Sequence, residues 1–245
     1  MILSFKHRFL FVRGLKVAGT SVEIALSTLC GPDDIAPPLI SVDESVRQAM
    51  GGHCGNYGDD PVFERAFVEV IRNTPPERLA RIPAPPSRYW PHMSVMEVES
   101  VFGKPLDDFQ LVCVERDPYA KVISLLSMRR HYADYKTGSK PDMAAPIDTL
   151  VADLDEAIAK GTLRGLKSLK MYAGRTPRIL HYETLERDMA GFAADLGVPS
   201  PALPHAKRGP LSNRFDPASV FRRDQIDFLG GYFADELAAF GYAPR

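Results

Sequence analysis

The feature that most constrains this chain is the passage from Phe9 to Leu26, FLFVRGLKVAGTSVEIAL, where an apolar run meets a glycine-bearing turn and then a stretch of small and apolar residues. Phe9, Leu10, Phe11 and Val12 read as a buried strand, being aromatic or branched and uninterrupted. The turn holds Gly14, Lys16 and Gly19. Thr20 and Ser21 then open a helical pattern carried by Val22, Ile24, Ala25 and Leu26. A strand, a glycine turn and a hydroxyl-bearing helix start together describe an oxyanion cradle, because the N–H groups of a first helical turn point outward and the helix dipole favours negative charge there. Lys16 adds a full positive charge at the mouth of the turn.

A nucleotide-binding P-loop reads G-x-x-x-x-G-K-[ST], with its lysine directly after the second glycine. Gly14 and Gly19 have that spacing here, but position 20 is Thr and the lysine stands earlier, at Lys16. A second passage repeats the strand-turn-helix logic. Phe109 to Val114 is a continuous apolar run, the pattern of a parallel strand covered on both faces. Arg116 stands at its C-terminal end, where open α/β sheets bind ligands. Asp117 suits an N-cap and Pro118 a first helical position, and the helix carries Val122, Ile123, Leu125 and Leu126 inward.

The pattern K-x-x-G-T-S at Lys16 to Ser21, followed by R-D-P-Y-x-x-x-x-S at Arg116 to Ser124, resembles the sulfotransferases that use 3′-phosphoadenosine 5′-phosphosulfate (PAPS) and release 3′-phosphoadenosine 5′-phosphate (PAP). The likeness runs over nearly the whole chain but is specific only at these two motifs. It implies a P-loop-like three-layer α/β fold, with a central, mainly parallel sheet flanked by helices, in one sulfotransferase-like domain over residues 1–245. It implies that Lys16, the amides of Ala18, Gly19, Thr20 and Ser21 and the hydroxyls of Thr20 and Ser21 hold the phosphosulfate. Arg116 and Ser124 would hold the 3′-phosphate, joined by Lys207 and Arg208 of the basic loop HAKRGPLSNR. His92, after the cradle and before the second motif, matches the position of the catalytic histidine in the carbohydrate-acting relatives. Attack on sulfur by a hydroxyl needs a base of near-neutral pKa, which imidazole supplies. His53 is the reserve base, and His131 opens a polar loop (131–146) suited to the acceptor side. Glu183, in H-Y-E-T-L-x-x-D, belongs to a string that is mainly structural in the family.

The remaining features narrow the partners. A formal net charge of −1 gives no general nucleic-acid footprint, so any anion site is local. Cys30, Cys54 and Cys113 form neither a disulfide framework nor a metal knuckle, and His53 beside Cys54 lacks a second ligand pair, so no metal is expected. No apolar segment reaches a membrane span, and the run after Lys6, His7 and Arg8 reads as the first strand rather than a signal peptide. The expectation is a cytoplasmic, bacterial-type soluble relative. Helices are expected over Val42 to Met50, over Pro61 to Arg72 with Val62, Phe63, Phe67, Val70 and Ile71 on one side, and over Met93 to Phe102. Proline-rich residues 75–91 are expected as loop. Further helices are read over Ile147 to Ile158, Leu163 to Tyr172 and Glu183 to Leu196, a strand over Arg178 to Tyr182, and final helices opened by Asp216-Pro217.

The reaction that follows is sulfuryl transfer from PAPS to an acceptor hydroxyl, on a carbohydrate or glycoconjugate, without a metal. Two other readings stay open. One is a P-loop-type nucleotide kinase, which predicts Mg²⁺-dependent ATP binding. The other is a non-catalytic PAP-binding protein, which predicts affinity without turnover. The acceptor and the oligomeric state are not legible.

Overall fold

The first strand-turn-helix passage forms as its pattern demands. In the computed structural model, which describes residues 1–58, 60–137, 147–204 and 216–245 (without the side chains of 131–137 and 147–148), Phe9–Arg13 is a strand (β2) buried at every position. It is preceded by β1 (Ile2–Ser4), so the apolar run is the second strand of the fold, not the first. The three residues of β1 are all buried, and they turn back through Phe5–Arg8 to pair antiparallel with β2, Ile2 facing Phe11. The left-handed backbone of Arg8 (φ 58°) closes that turn.

The chain then runs through α1 (Gly19–Ser27), α2 (Ser41–Ala49), α3 (Pro61–Asn73), the single turn α4 (Pro76–Leu79) and α5 (Val95–Phe102) to β3 (Gln110–Glu115). Next come α6 (Pro118–Thr137), α7 (Ile147–Ala159), two 3₁₀ turns at Arg164–Leu166 and Leu169–Tyr172, β4 (Arg178–His181), α8 (Leu185–Asp195), α9 (Pro217–Val220), α10 (Arg223–Tyr232) and α11 (Ala234–Phe240). The sheet has the order β1-β2-β3-β4, with β2, β3 and β4 parallel and β1 the antiparallel edge. This is an α/β fold with a mainly parallel sheet flanked by helices. Arg13 pairs with Val114, so β2 and β3 end at the same edge of the sheet.

By its contacts the chain divides into two units. The first takes Met1–Arg13, Ala18–Glu115 and the described residues from Lys170 to 204. It holds the sheet, with α1 packed beside β1 and α8 beside β4. The Phe9 ring meets Phe192 of α8 edge-on at 5.5 Å. The second takes Gly14–Val17, Arg116–Leu169 and 216–245. Its core joins Val122 and Leu126 of α6, Leu154 of α7, and Leu229, Phe233 and Leu237 of the last helices.

Two helix faces differ from the pattern. Only Phe67 and Ile71 of α3 are buried, an i,i+4 pair, while Val62, Phe63 and Val70 stay exposed. Phe228 is likewise exposed and stacks on Tyr232, whereas Val220, Phe221, Ile226, Leu229, Phe233, Leu237 and Phe240 pack inward. One helical turn forms inside the proline-rich stretch because Pro76 can occupy a first helical position, and residues 163–172 form two short 3₁₀ turns rather than one helix. Among the described residues no helix is long and apolar enough to cross a membrane.

Candidate active site

Within the first unit, the carboxyl end of β2 and the start of α1 are joined by Arg13. Helix α1 has no acidic residue in its first turn and no side-chain cap, so nothing in its own sequence competes for the unpaired N–H groups there. The residue before it, Ala18, is left-handed (φ 63°, ψ 20°). Gly19 is not left-handed. It is a glycine because a Cβ there would lie 2.9 Å from Arg13 Cβ and closer still to Arg13 Cδ. Thr20 is buried, and its Oγ1 accepts a 3.3 Å hydrogen bond from Arg13 Nη1. Ser21 is half-buried.

Arg13 is itself held by charge. Its Nε lies 2.6 Å from Glu23 Oε2, and both side chains are buried. The other Glu23 oxygen faces the Met1 nitrogen at 3.2 Å and Arg47 Nη2 at 3.7 Å. Arg47 in turn meets Glu44 at 3.3 Å and the Pro37 carbonyl at 3.1 Å. Burial pushes the Glu23 carboxyl up, but the Met1 amino group, Arg13 and Arg47 outweigh that and hold it below the usual carboxylate range. Sequence reasoning passes over this cluster. The signal available was Glu23 itself, a carboxylate inside the apolar face Val22, Ile24, Ala25, Leu26, since a charge in such a run is buried only when paired.

His92 joins the same unit. It enters from the loop before α5, whose start is fixed by a capping box between Ser94 and Glu97. Its Nδ1 lies 3.3 Å from the Arg13 carbonyl oxygen. Burial and then the Arg13 charge lower its pKa to about 4, the carbonyl hydrogen bond opposing them in part. The ring is therefore neutral at physiological pH, but its pKa lies well below the near-neutral value expected of the base, because burial and the Arg13 charge both disfavour the imidazolium. His92 and Thr20, far apart in sequence, are thus both bonded to Arg13. His53, the reserve base, is exposed. Residues 131–137, expected as the start of a polar loop, instead continue α6, and the side chain of His131 lies outside the described residues.

The second unit carries Lys16, Arg116 and Ser124. Lys16 is half-buried and left-handed (φ 65°), so the turn after β2 places two non-glycine residues, Lys16 and Ala18, in positive-φ backbone. Such positions cost energy and concentrate at functional sites. Arg116, the residue after β3, is 4% exposed. Asp117 caps α6, its Oδ1 accepting from Tyr119 N at 2.8 Å, and Pro118 is the first helical residue. Ser124 is half-buried on α6. Lys207 and Arg208 lie outside the described residues. Among the described residues no group of three or more His, Cys, Asp or Glu is placed to hold a metal ion.

No family model and no curated protein matches the chain. Among solved structures it is similar to the crystal structure of a sulfotransferase from Alicyclobacillus acidocaldarius, at 18% sequence identity and a TM-score of 0.41, covering 95% of this chain and 93% of that one.

Proposed function

We propose that this protein is a PAPS-dependent sulfotransferase acting on an acceptor hydroxyl, on a carbohydrate or glycoconjugate. The observation that carries the reading is His92 held neutral against the Arg13 carbonyl. A carbonyl oxygen only accepts, so Nδ1 carries the ring proton and Nε2 keeps the lone pair a general base needs. The hydroxyl-bearing, acid-free start of α1 suits an anionic group. A phosphosulfate donor supplies a sulfuryl group bound through a bridging oxygen to phosphate. In this reading Nε2 of His92 takes the acceptor's proton as the acceptor oxygen bonds to sulfur. The bridging S–O bond breaks, its electron pair going to the phosphate of PAP, and Lys16 offsets the charge growing on that oxygen. The amides of Ala18, Gly19, Thr20 and Ser21 hold the phosphosulfate with the hydroxyls of Thr20 and Ser21. Arg116, Ser124, Lys207 and Arg208 serve the 3′-phosphate.

The reading takes residues 1–245 as one domain and the reaction as cytoplasmic. The test is a thermal-shift titration with PAP against ATP-Mg²⁺, then labelled PAPS with a panel of glycosides, phenols and simple alcohols. PAP stabilisation that survives EDTA, with label transferred to one acceptor class, is the expected result. ATP-Mg²⁺ binding without PAP binding would show a kinase, and PAP binding without transfer to any acceptor a non-catalytic binder.

A further inference from the structure

We infer that Arg13 is a positioning residue of this site, setting the proton direction of both the base and a donor-binding hydroxyl, with Glu23 locking it in place. The inference rests on the sulfotransferase reading above. It starts from two contacts made by opposite ends of one residue. The Arg13 carbonyl can only accept, so the 3.3 Å contact to His92 Nδ1 leaves the Nε2 lone pair to meet a hydroxyl proton. The Arg13 guanidinium can only donate, so the 3.3 Å bond from Nη1 to Thr20 Oγ1 uses that oxygen as acceptor and leaves the Thr20 proton to be donated to an anion. One residue thus makes His92 an acceptor and Thr20 a donor, the polarity that a hydroxyl nucleophile and an anionic donor require.

The side chain has no freedom to do otherwise. Its Nε is 2.6 Å from a fully buried Glu23, which Arg47 holds from the far side at 3.7 Å. The glycine of the cradle is part of the same device. A side chain at Gly19 would collide with Arg13, so this glycine makes room for the arginine at the helix start. The titratable groups facing His92 are Arg13, Glu23 and the Met1 amino group, which burial lowers to about 5, and Arg13 has the largest influence of the three in keeping the ring neutral.

The experiment combines ¹⁵N NMR of the His92 ring, PAP calorimetry and the rate of PAP release from PAPS with water as acceptor, sulfate being the other product. The full chain is compared with Arg13→Gln, Arg13→Lys and Gly19→Ala. The wild-type ring is expected to be neutral with Nδ1 protonated. In Arg13→Gln its titration midpoint should rise towards the ordinary value of 6.5, and PAP release should slow by about 100-fold, the low end of what a positioned base contributes. Arg13→Lys should return the midpoint partway without restoring the rate, because an ammonium lacks the guanidinium fork. A purely structural role would lower the melting temperature and leave the midpoint in place.

An Nε2-protonated wild-type ring overturns the inference, as does Arg13→Gln with unchanged midpoint and rate. If Arg13→Gln does not fold, the wild-type tautomer and Gly19→Ala, which pushes Arg13 from outside, decide the matter. Wild-type protein that binds no PAP overturns the sulfotransferase reading instead, and the tautomer then still decides the Arg13–His92 contact.

Discussion

Ala18 sits at φ 63° immediately before α1, a conformation that costs an alanine about 1–2 kcal/mol, while its neighbour Gly19 gains nothing from being flexible and everything from lacking a side chain. The two substitutions should therefore move stability in opposite senses. Ala18→Gly relieves the strain at some entropic cost in the unfolded chain, and should be neutral to about 1 kcal/mol stabilising. Gly19→Ala forces Cβ into the Arg13 side chain and should destabilise by about 1–3 kcal/mol. Urea denaturation of both variants gives the comparison directly. Glu23 is the residue on which the buried charges balance. Glu23→Ala leaves Arg13 and Arg47 facing each other without their shared carboxylate, and should cost about 3–5 kcal/mol in the same assay.

At the level of elements, α6 depends on its first turn. Asp117 accepts from Tyr119 N at 2.8 Å and also faces Arg245 Nη2 at 2.7 Å, so it closes the helix start and ties down residue 245. Asp117→Ala should cost about 1–2 kcal/mol, mostly as a lost cap, and Asp117→Asn should recover most of it, since the amide oxygen still accepts. Differential scanning calorimetry separates the two variants. This cap, the proline after it and the apolar runs of β2 and β3 were legible from residue order alone, because each is set by neighbours in the chain. The face of α3 was not. Val62, Phe63 and Val70 look like core residues by type, and only tertiary packing decides that Phe67 and Ile71 take the buried side. Strand β1 escaped for a related reason: Ile2, Leu3 and Ser4 are too few to show a period, and they are strand only because β2 lies beside them. Of the residues proposed to act, Lys16, His92 and Arg116 are picked out by pattern and resemblance alone. Arg13 is not, since its role lies in where its carbonyl and guanidinium point.

For the molecule as a whole, the half-buried His92 gives acid sensitivity a definite sign. Unfolded, the His92 ring takes up a proton near pH 6.5; folded, it does so only at about 4. Between those values the unfolded state binds more protons, so the His92 contribution is complete above about pH 6.5 and declines as pH falls towards 4, and the Met1 amino group, lowered from 8.0 to about 5 by burial, adds a loss of the same sign between pH 8 and 5. Glu23, with its carboxyl held low, adds a loss in the same direction at still lower pH. Chemical denaturation across pH 4 to 7 should show that slope, and His92→Gln should flatten its upper part.

The short strand β1 carries one more consequence. Its outward side is already occupied: Leu3 N donates to the Ile35 carbonyl and Ile35 N to the Leu3 carbonyl, each at 2.9 Å. That margin of the sheet therefore offers no free ladder rung at Leu3 for a foreign chain to zip onto, and the greasy ribbon FLFV stays an interior partner. Leu3→Pro, which deletes one of those two bonds, should turn a well-behaved solution into one that scatters light on standing.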